Sequence, residues 1–277
     1  MRIFSWLLAI VLLSLVVFLF IRIIDILNHP AITLPPGTGA HIFSVTSANP
    51  PDQTIDIVFV PDDDYGNVED DVLVRQAFVD DINSLITNGF SQNHAIAANQ
   101  PLFNYWFLTL SGDVQPGAGI CPSVSWPDLS EAAFAEVVVL LHPNSLRDCA
   151  FGTRVTSEPT SYRTVVHEFS HGAFGLPDEY CCDGGYWDSI PILYLSQGLC
   201  ESDPINIAWR DCFEIVSTRN GNSYWRSEGT QVDIMSTGGA VVAEYGPADW
   251  LLVEQVLNGL GTGSVVTPTV FAPDPWP

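Results

Sequence analysis

The sequence predicts an α/β fold, with one mixed sheet backed by helices, following an apolar N-terminal segment long enough to span a membrane. Three observations carry this reading. Short β-rich apolar runs recur at Ile55-Asp56-Ile57-Val58-Phe59-Val60, over residues 103–110 and over residues 134–141. Between and after them lie stretches with helical spacing, and that alternation is the pattern of a sheet with helices packed on it. Residues 3–21 carry no charge, and their 19 positions fall in the range needed to cross a bilayer.

Taken in order, the chain starts with Arg2 and the uncharged run, which Arg22-Ile23-Ile24-Asp25-Ile26-Leu27 then prolongs. A secretory signal has a shorter apolar region followed by a small-x-small cleavage site, so residues 1–27 are first read as an uncleaved signal-anchor. A cleaved signal, giving a secreted protein, is the alternative. Residues 28–54 are rich in Pro, Gly, Ser and Thr without helical period, and are expected to be a stalk. The run from Ile55 ends at Pro61 as a buried strand. Val74, Phe78, Ile82, Leu85 and Ile86 then recur at helical spacing up to a stop at Asn88-Gly89. Pro159, Thr160 and Ser161 lead into a second helix with Val165, Val166 and Phe169 on its core side. Tyr245-Gly246-Pro247 opens a last helix, with Pro in its first turn and a stripe of Leu252, Val253, Val256, Leu257 and Leu260. The domain is thus expected over 55–261, with residues 262–277 a Pro-rich, poorly ordered tail. Residues 181–230 show no clear period. Their Trp187, Tyr194, Trp209, Tyr224 and Trp225 suit either a disulfide-stapled insert or a large surface loop.

The second helix holds the candidate chemistry. His167-Glu168-Phe169-Ser170-His171 sets two histidines four residues apart, so both imidazoles project from one helix face toward a single ion. Glu168 approaches the same ion from the side and can take a proton from a water there, which is why H-E-x-x-H suits a zinc hydrolase. Gly175 can end the helix in a left-handed turn and Pro177 prevents it from restarting. The chain then brings Asp178 and Glu179 back toward the metal. In the better-known long zinc motif the third ligand comes ten residues after the first histidine and a Gly comes seven after it. Here Gly175 stands at eight and Asp178 at eleven, so the Gly-to-ligand interval of three favours Asp178. Glu179 is the alternative third ligand, or an orienting group for a ligand histidine. Far along the chain, Asp233-Ile234-Met235-Ser236-Thr237-Gly238-Gly239 forms a tight polar turn around Met235, the chain's only Met besides the initiator. A Met-containing turn of this kind lies beneath the metal in one large group of zinc peptidases.

Cysteines and charge bound the setting. Cys121, Cys149, Cys181, Cys182, Cys200 and Cys212 all follow the apolar segment, and none has the C-x-x-C spacing of a thiolate zinc site. An even number beyond an export segment suggests disulfides in an oxidising, extracytoplasmic compartment. Adjacent cysteines are poor partners for each other. Cys181 and Cys182 are therefore expected to pair with Cys200 and Cys212 in some order, leaving Cys121 to Cys149. All nine basic residues are arginine, against 32 acidic ones, for a net charge of −23. No basic patch for a nucleic acid or an anionic membrane surface can be assembled from so few.

The segment His167-Glu168-Phe169-Ser170-His171, continuing to Gly175-Leu176-Pro177-Asp178-Glu179-Tyr180, resembles the IgA-peptidase-like zinc metallopeptidases, whose pattern is HEFGH followed by G-L-x-D-E-Y. The resemblance extends to the strand and acidic turn over residues 55–62 and to Phe103-Asn104-Tyr105-Trp106. It also takes in Asp233-Ile234-Met235-Ser236 and the closing helix over residues 245–260. It implies a zincin-like metallopeptidase domain with an active-site helix and a Met turn. It further implies His167 and His171 as zinc ligands, Glu168 as catalytic base, and peptide-bond hydrolysis as the activity. Ser170 replaces the family's Gly, a small-for-small change expected to matter little. The Cys181-Cys182 pair is outside the pattern, so cleavage of IgA itself is not carried over.

Other constellations are weaker. Asp62, Asp63, Asp64, Glu69, Asp70 and Asp71 gather six carboxylates, which suit calcium, although Gly66 would put Pro61 at the first position of a helix-loop-helix calcium loop. A solvated acidic turn that also begins the next helix is the other reading. The segment over residues 151–157 can form a sheet edge along which an extended peptide docks. His29, His41, His94 and His142 read as surface or loop histidines. The chain as a whole predicts a membrane-tethered, extracytoplasmic zinc endopeptidase with a protein or peptide substrate. The rival is a catalytically silent extracytoplasmic binding module that keeps the metal site as scaffold, although an intact Glu168 serves no purpose there.

Overall fold

Residues 55–61, 103–108 and 137–141 are buried along their whole lengths, because each strand they form has a covered face on both sides. The computed structural model describes residues 40–178, 193–203, 212–216, 223–226, 233–235, 243–261, 264–269 and 271. In chain order its elements are β1 (Ile42–Thr46), β2 (Ile55–Pro61), α1 (Val72–Asn88), α2 (His94–Ala98), β3 (Phe103–Leu108), β4 (Asp113–Gln115), β5 (Ser123–Ser125), β6 (Val137–Leu141), β7 (Cys149–Phe151) and β8 (Arg154–Ser157). Then follow α3 (Tyr162–Phe174), β9 (Leu193–Tyr194), α4 (Gln197–Ser202), β10 (Phe213–Val216), β11 (Ser223–Arg226) and α5 (Pro247–Gly259).

The main sheet has the order β1-β3-β2-β6-β8-β7. Its four inner strands are parallel, and β1 and β7 run antiparallel along its two edges, so the sheet is mixed as expected. Parallel strands buried on both faces carry apolar residues at successive positions, which is why these segments stand out in the sequence. Ile57, Phe59, Tyr105, Phe107, Val139 and Leu141 face the helices, where Phe78 and Ile82 of α1, Val165, Val166 and Phe169 of α3, and Val253 and Leu257 of α5 complete the core. Val58, Val60, Trp106, Leu108 and Leu140 face the opposite way into a smaller cluster with Ile42 and Val114.

The helix signals act as the sequence suggests. Asp71 caps α1 by accepting from the amides of Leu73 and Val74. At its other end Gly89 is required by space, since a Cβ there would lie 2.5 Å from the carbonyl oxygen of Tyr162. That close approach brings the end of α1 against the start of α3. Two buried aspartates bracket β2. Asp56 accepts from Trp106 Nε1 at 2.5 Å, Asn104 Nδ2 at 3.1 Å and Thr54 Oγ1 at 2.9 Å. Asp62 accepts from the amides of Asp64 at 2.9 Å and Val114 at 2.7 Å, while burial pushes its carboxyl up to about 6.

Several boundaries differ from the sequence reading. The stalk expected over 28–54 ends earlier, because residues 42–46 are an edge strand whose Phe43 stacks on Phe107 with ring centroids 5.2 Å apart. Only five residues long, it was hidden by its Pro-, Gly- and Ser-rich flanks. The expected loose tail over 262–277 is docked in part. Asn99 donates to the carbonyl of Val266 and accepts from its amide, both at 2.8 Å, an amide side chain standing in for a strand partner. The region 181–230 contains a three-stranded antiparallel sheet, β10-β11-β9, with α4 and the bridge Cys200–Cys212. Cys121–Cys149 forms as expected. The expected pairing of Cys200 and Cys212 with Cys181 and Cys182 is overturned, since the first two bond to each other across a loop of 12 residues. Cys181 and Cys182 lie outside the described residues, as do His29, Trp187, Trp209 and the expected membrane segment at 1–27. Among the described residues no helix is long and apolar enough to cross a membrane.

Candidate metal centre

Helix α3 places its chemistry by periodicity. Val165, Val166 and Phe169 bury one side against the sheet, and Phe169 meets Phe90, Phe103 and Phe174 edge-on. With the helix anchored in this way, His167 and His171 come into register on the adjoining face, their ring centroids 4.7 Å apart. Gly175 ends the helix at φ +67°, returning amide bonds from Gly175 to His171 and from Leu176 to Ser170. Leu176 is buried and fixes the turn, and the next two residues bring Asp178 back over the histidines.

The hydrogen bonds decide which imidazole nitrogens are available. His167 Nδ1 lies 2.8 Å from the carbonyl oxygen of Ile234, and His171 Nδ1 lies 2.6 Å from that of Leu176. A carbonyl can only accept, so both Nδ1 atoms carry the proton and donate, leaving Nε2 of each ring for a ligand. The two Nε2 atoms are 3.2 Å apart, and Asp178 Oδ1 lies 3.1 Å from the first and 3.3 Å from the second. These three atoms form a nearly equilateral triangle. Zinc bonds of about 2.0–2.1 Å in tetrahedral geometry separate neighbouring ligand atoms by about 3.3 Å. The residues therefore fit zinc in both donor chemistry and spacing.

The electrostatics are of one piece with this geometry. Burial pushes the Asp178 carboxyl up, but the two imidazoles beside it, whose Nε2 atoms donate to it when they carry a proton in place of a metal, outweigh burial and hold the group well below the usual carboxylate range. Burial pulls His171 down, and Asp178, with Glu168 and the Leu176 carbonyl, together outweigh it, so His171 is raised. Glu168 is also raised, first by burial, with the two histidines opposing and Asp178 adding to it. A ligand oxygen of Glu168 lies within 4.8 Å of the histidine nitrogens, close enough to share a water with whatever they bind.

No protein-family model matches the chain, and no curated protein matches it. The site therefore stands on its own geometry.

Of the residues singled out in the sequence, the structure brings His167, Glu168, His171 and Asp178 together. Glu179 lies outside the described residues. Met235 is fully buried, in a turn closed by its amide on Asp233 Oδ1 at 2.9 Å. That turn meets α3 through the carbonyl of Ile234, which accepts from His167 Nδ1. Asp62 and Asp63 converge with Asp113 rather than with Asp64, Glu69, Asp70 and Asp71. Both oxygens of Asp62 accept from backbone amides and Asp71 caps α1, so these members of the acidic run serve the turn and the helix start, while Asp62, Asp63 and Asp113 form a group whose oxygens could hold a cation. His41 and His94 pair with Glu69 and Glu244 respectively. His142 is a loop histidine, directly after β6, but a fully buried one rather than a surface one.

Ser170 is corrected as well. Its hydroxyl bonds the carbonyl of Val166 and the phenol of Tyr245, each at 2.6 Å, joining α3 to the residue that leads into α5. With the serine hydroxyl spent on Val166, the phenol is the donor between the two. Both side chains are buried. Ser170→Ala leaves the phenol without its acceptor and is expected to cost about 1–3 kcal/mol of unfolding free energy. Chemical denaturation measures this, and an unchanged midpoint would show the bond to be idle.

Proposed function

We propose that this protein is a zinc-dependent endopeptidase that hydrolyses peptide bonds, tethered to a membrane by its N-terminal segment with the catalytic domain outside the cytoplasm. The observation that carries the proposal is the triangle of His167 Nε2, His171 Nε2 and Asp178 Oδ1, with edges of 3.1–3.3 Å and both Nδ1 protons already committed. Structural zinc sites are closed by four protein ligands, whereas three plus an open position is the catalytic pattern. The domain would accordingly be zincin-like, with α3 as active-site helix and the Met235 turn beneath the first histidine. Two disulfides agree with an oxidising exterior.

Zinc bound there would polarise the scissile carbonyl and lower the pKa of a water to near 7. Every other task falls to the chain. Ile234 and Leu176 hold the imidazoles in the tautomer that offers Nε2. Asp178 supplies the third ligand oxygen and balances part of the charge. Glu168, beside the histidines but not part of the triangle, takes a proton from the attacking water and passes it to the leaving nitrogen. The peptide edge expected over residues 151–157 is corrected to β7, because β8 (Arg154–Ser157) is an inner strand paired with β6 on one side and β7 on the other. Strand β7 is the edge at this end of the sheet on which an extended peptide would pair.

A peptide-library assay on the purified protein tests the proposal. Cleavage is expected that chelator abolishes and zinc restores. Metal-loaded protein that cleaves nothing would instead favour the binding-module reading.

A further inference from the structure

A histidine outside the candidate metal centre occupies a setting the proposed chemistry does not use. His142 follows β6 directly and is 0% exposed. Its Nδ1 lies 3.1 Å from the carbonyl oxygen of Asn144, and its Nε2 lies 3.4 Å from Asp148 Oδ1. Both partners are acceptors. The 3.4 Å approach to Asp148 is an ion-pair distance, and Nε2 makes no hydrogen bond among the described residues. A neutral Nδ1–H ring would face the carboxylate with a lone pair, so the doubly protonated ring is the form that suits both neighbours. Asp148 is itself buried, and the same Oδ1 accepts from the amide of Glu158 at 2.9 Å.

The pair sits where it controls the sheet edge. Asp148 immediately precedes β7 and the disulfide-bonded Cys149, while Glu158 immediately follows β8. At the far end of this hairpin, Gly172 of α3 lets the turn approach the metal helix. A Cβ on Gly172 would lie 3.1 Å from the carbonyl oxygen of Gly152 and 3.3 Å from Cα of Thr153. Hairpin β7–β8 is therefore clamped against the residue next to His171 at one end and by Asp148 at the other.

We infer that His142 is held as a buried imidazolium and, through Asp148, is the positioning residue that fixes the β7–β8 edge beside the metal helix. Its role as the peptide-docking edge rests on the peptidase reading above. The local charges agree. Burial pulls His142 down, but Asp148, the Asn144 carbonyl and Glu158 together outweigh it and raise the group above its ordinary value. The raised value makes the clamp fully present at acid pH and lost as pH climbs through the folded-state titration of His142. The acidic groups facing the ring are Asp148 and Glu158, and Glu158 is itself raised by burial and by Asp148.

Nitrogen and carbon NMR of the histidine side chains in the full-length protein tests the charge state directly. His142, assigned by its absence in His142→Gln, is expected to hold both ring protons in most molecules at pH 6.5, the ordinary histidine value, and to lose the second at a higher pH than an exposed histidine. A mostly neutral ring at pH 6.5 overturns the inference. Amide exchange tests the positioning. His142→Asn keeps a donor for the Asn144 carbonyl but cannot reach Asp148, and is expected to speed exchange across β7 and β8 by about tenfold or more, with β2 and β3 unchanged. His142→Gln, whose amide can still donate to Asp148, is expected to recover most of the protection. Equal exchange in both variants and wild type overturns the positioning role. In the peptide assay, His142→Asn is expected to raise KM by about tenfold with kcat changed by less than about threefold, whereas a fall in kcat alone contradicts it. Failure of the wild type to cleave peptides refutes only the peptidase reading, because the spectra and the exchange need no substrate.

Discussion

Glu168→Gln is expected to bind zinc as the wild type does and to lose peptide cleavage by a factor of about 10²–10⁴, the usual worth of a positioned general base. The substitution keeps the shape and the hydrogen-bonding oxygen of the side chain but removes its ability to accept a proton. Glu168 is partly buried beside two imidazoles, in a setting where burial already raises it. A neutral amide should therefore be tolerated there without loss of fold. The three atoms of the triangle do not include Glu168, so metal content should not change. Steady-state kinetics and metal analysis on the same sample check both halves. Undiminished turnover would remove Glu168 from the chemistry, and loss of zinc would mean that it is a ligand.

The second large effect concerns Asp178. Asp178→Ala removes one vertex of the triangle and leaves two imidazole nitrogens 3.2 Å apart without the carboxylate that holds both. Zinc affinity is expected to fall by more than about a hundredfold, beyond the loss typical of a residue that only orients a ligand. Glu179→Ala is expected to cost about a hundredfold or less. Competition with a chromogenic chelator measures both. If the Glu179 variant loses its metal while Asp178→Ala keeps it, the third ligand has been assigned to the wrong neighbour.

How far the sequence reveals this site depends on whether each contact is local. His167, Glu168 and His171 are legible because a helix turns fixed spacing into a shared face. Asp178 is legible because a Gly in a left-handed turn fixes how the next three residues return. Strands β2, β3 and β6 are legible because burial on both faces leaves apolar runs interrupted only by Asp56 and Asn104, whereas the inner strand β8 carries no such run. What escapes is long-range or carried by the backbone. The carbonyls of Ile234 and Leu176 set the tautomers of both histidines, and a backbone oxygen leaves no mark on residue type. Ser170 looks like a neutral replacement for glycine until Tyr245, 75 residues on, is seen to need its oxygen. His142 has no ligand-like spacing, and only the folding of β6 beside the β7–β8 hairpin gives it Asp148. The pairing of Cys200 with Cys212 was missed for the opposite reason. The adjacent cysteines drew the expectation toward themselves, while the nearer loop closure prevailed.

The central claim is the identity of the metal centre, and zinc-edge X-ray absorption on the purified, zinc-loaded protein tests it most directly. The account predicts a first shell of nitrogen and oxygen only, at about 2.0–2.2 Å, with the outer scattering of two imidazoles. The same spectrum from Asp178→Ala, if metal can be loaded at all, should keep the imidazole signature and lose a carboxylate oxygen. A sulfur shell at about 2.3 Å would place the metal on cysteines instead. That result, or a wild-type protein that retains no zinc after dialysis, would contradict the account.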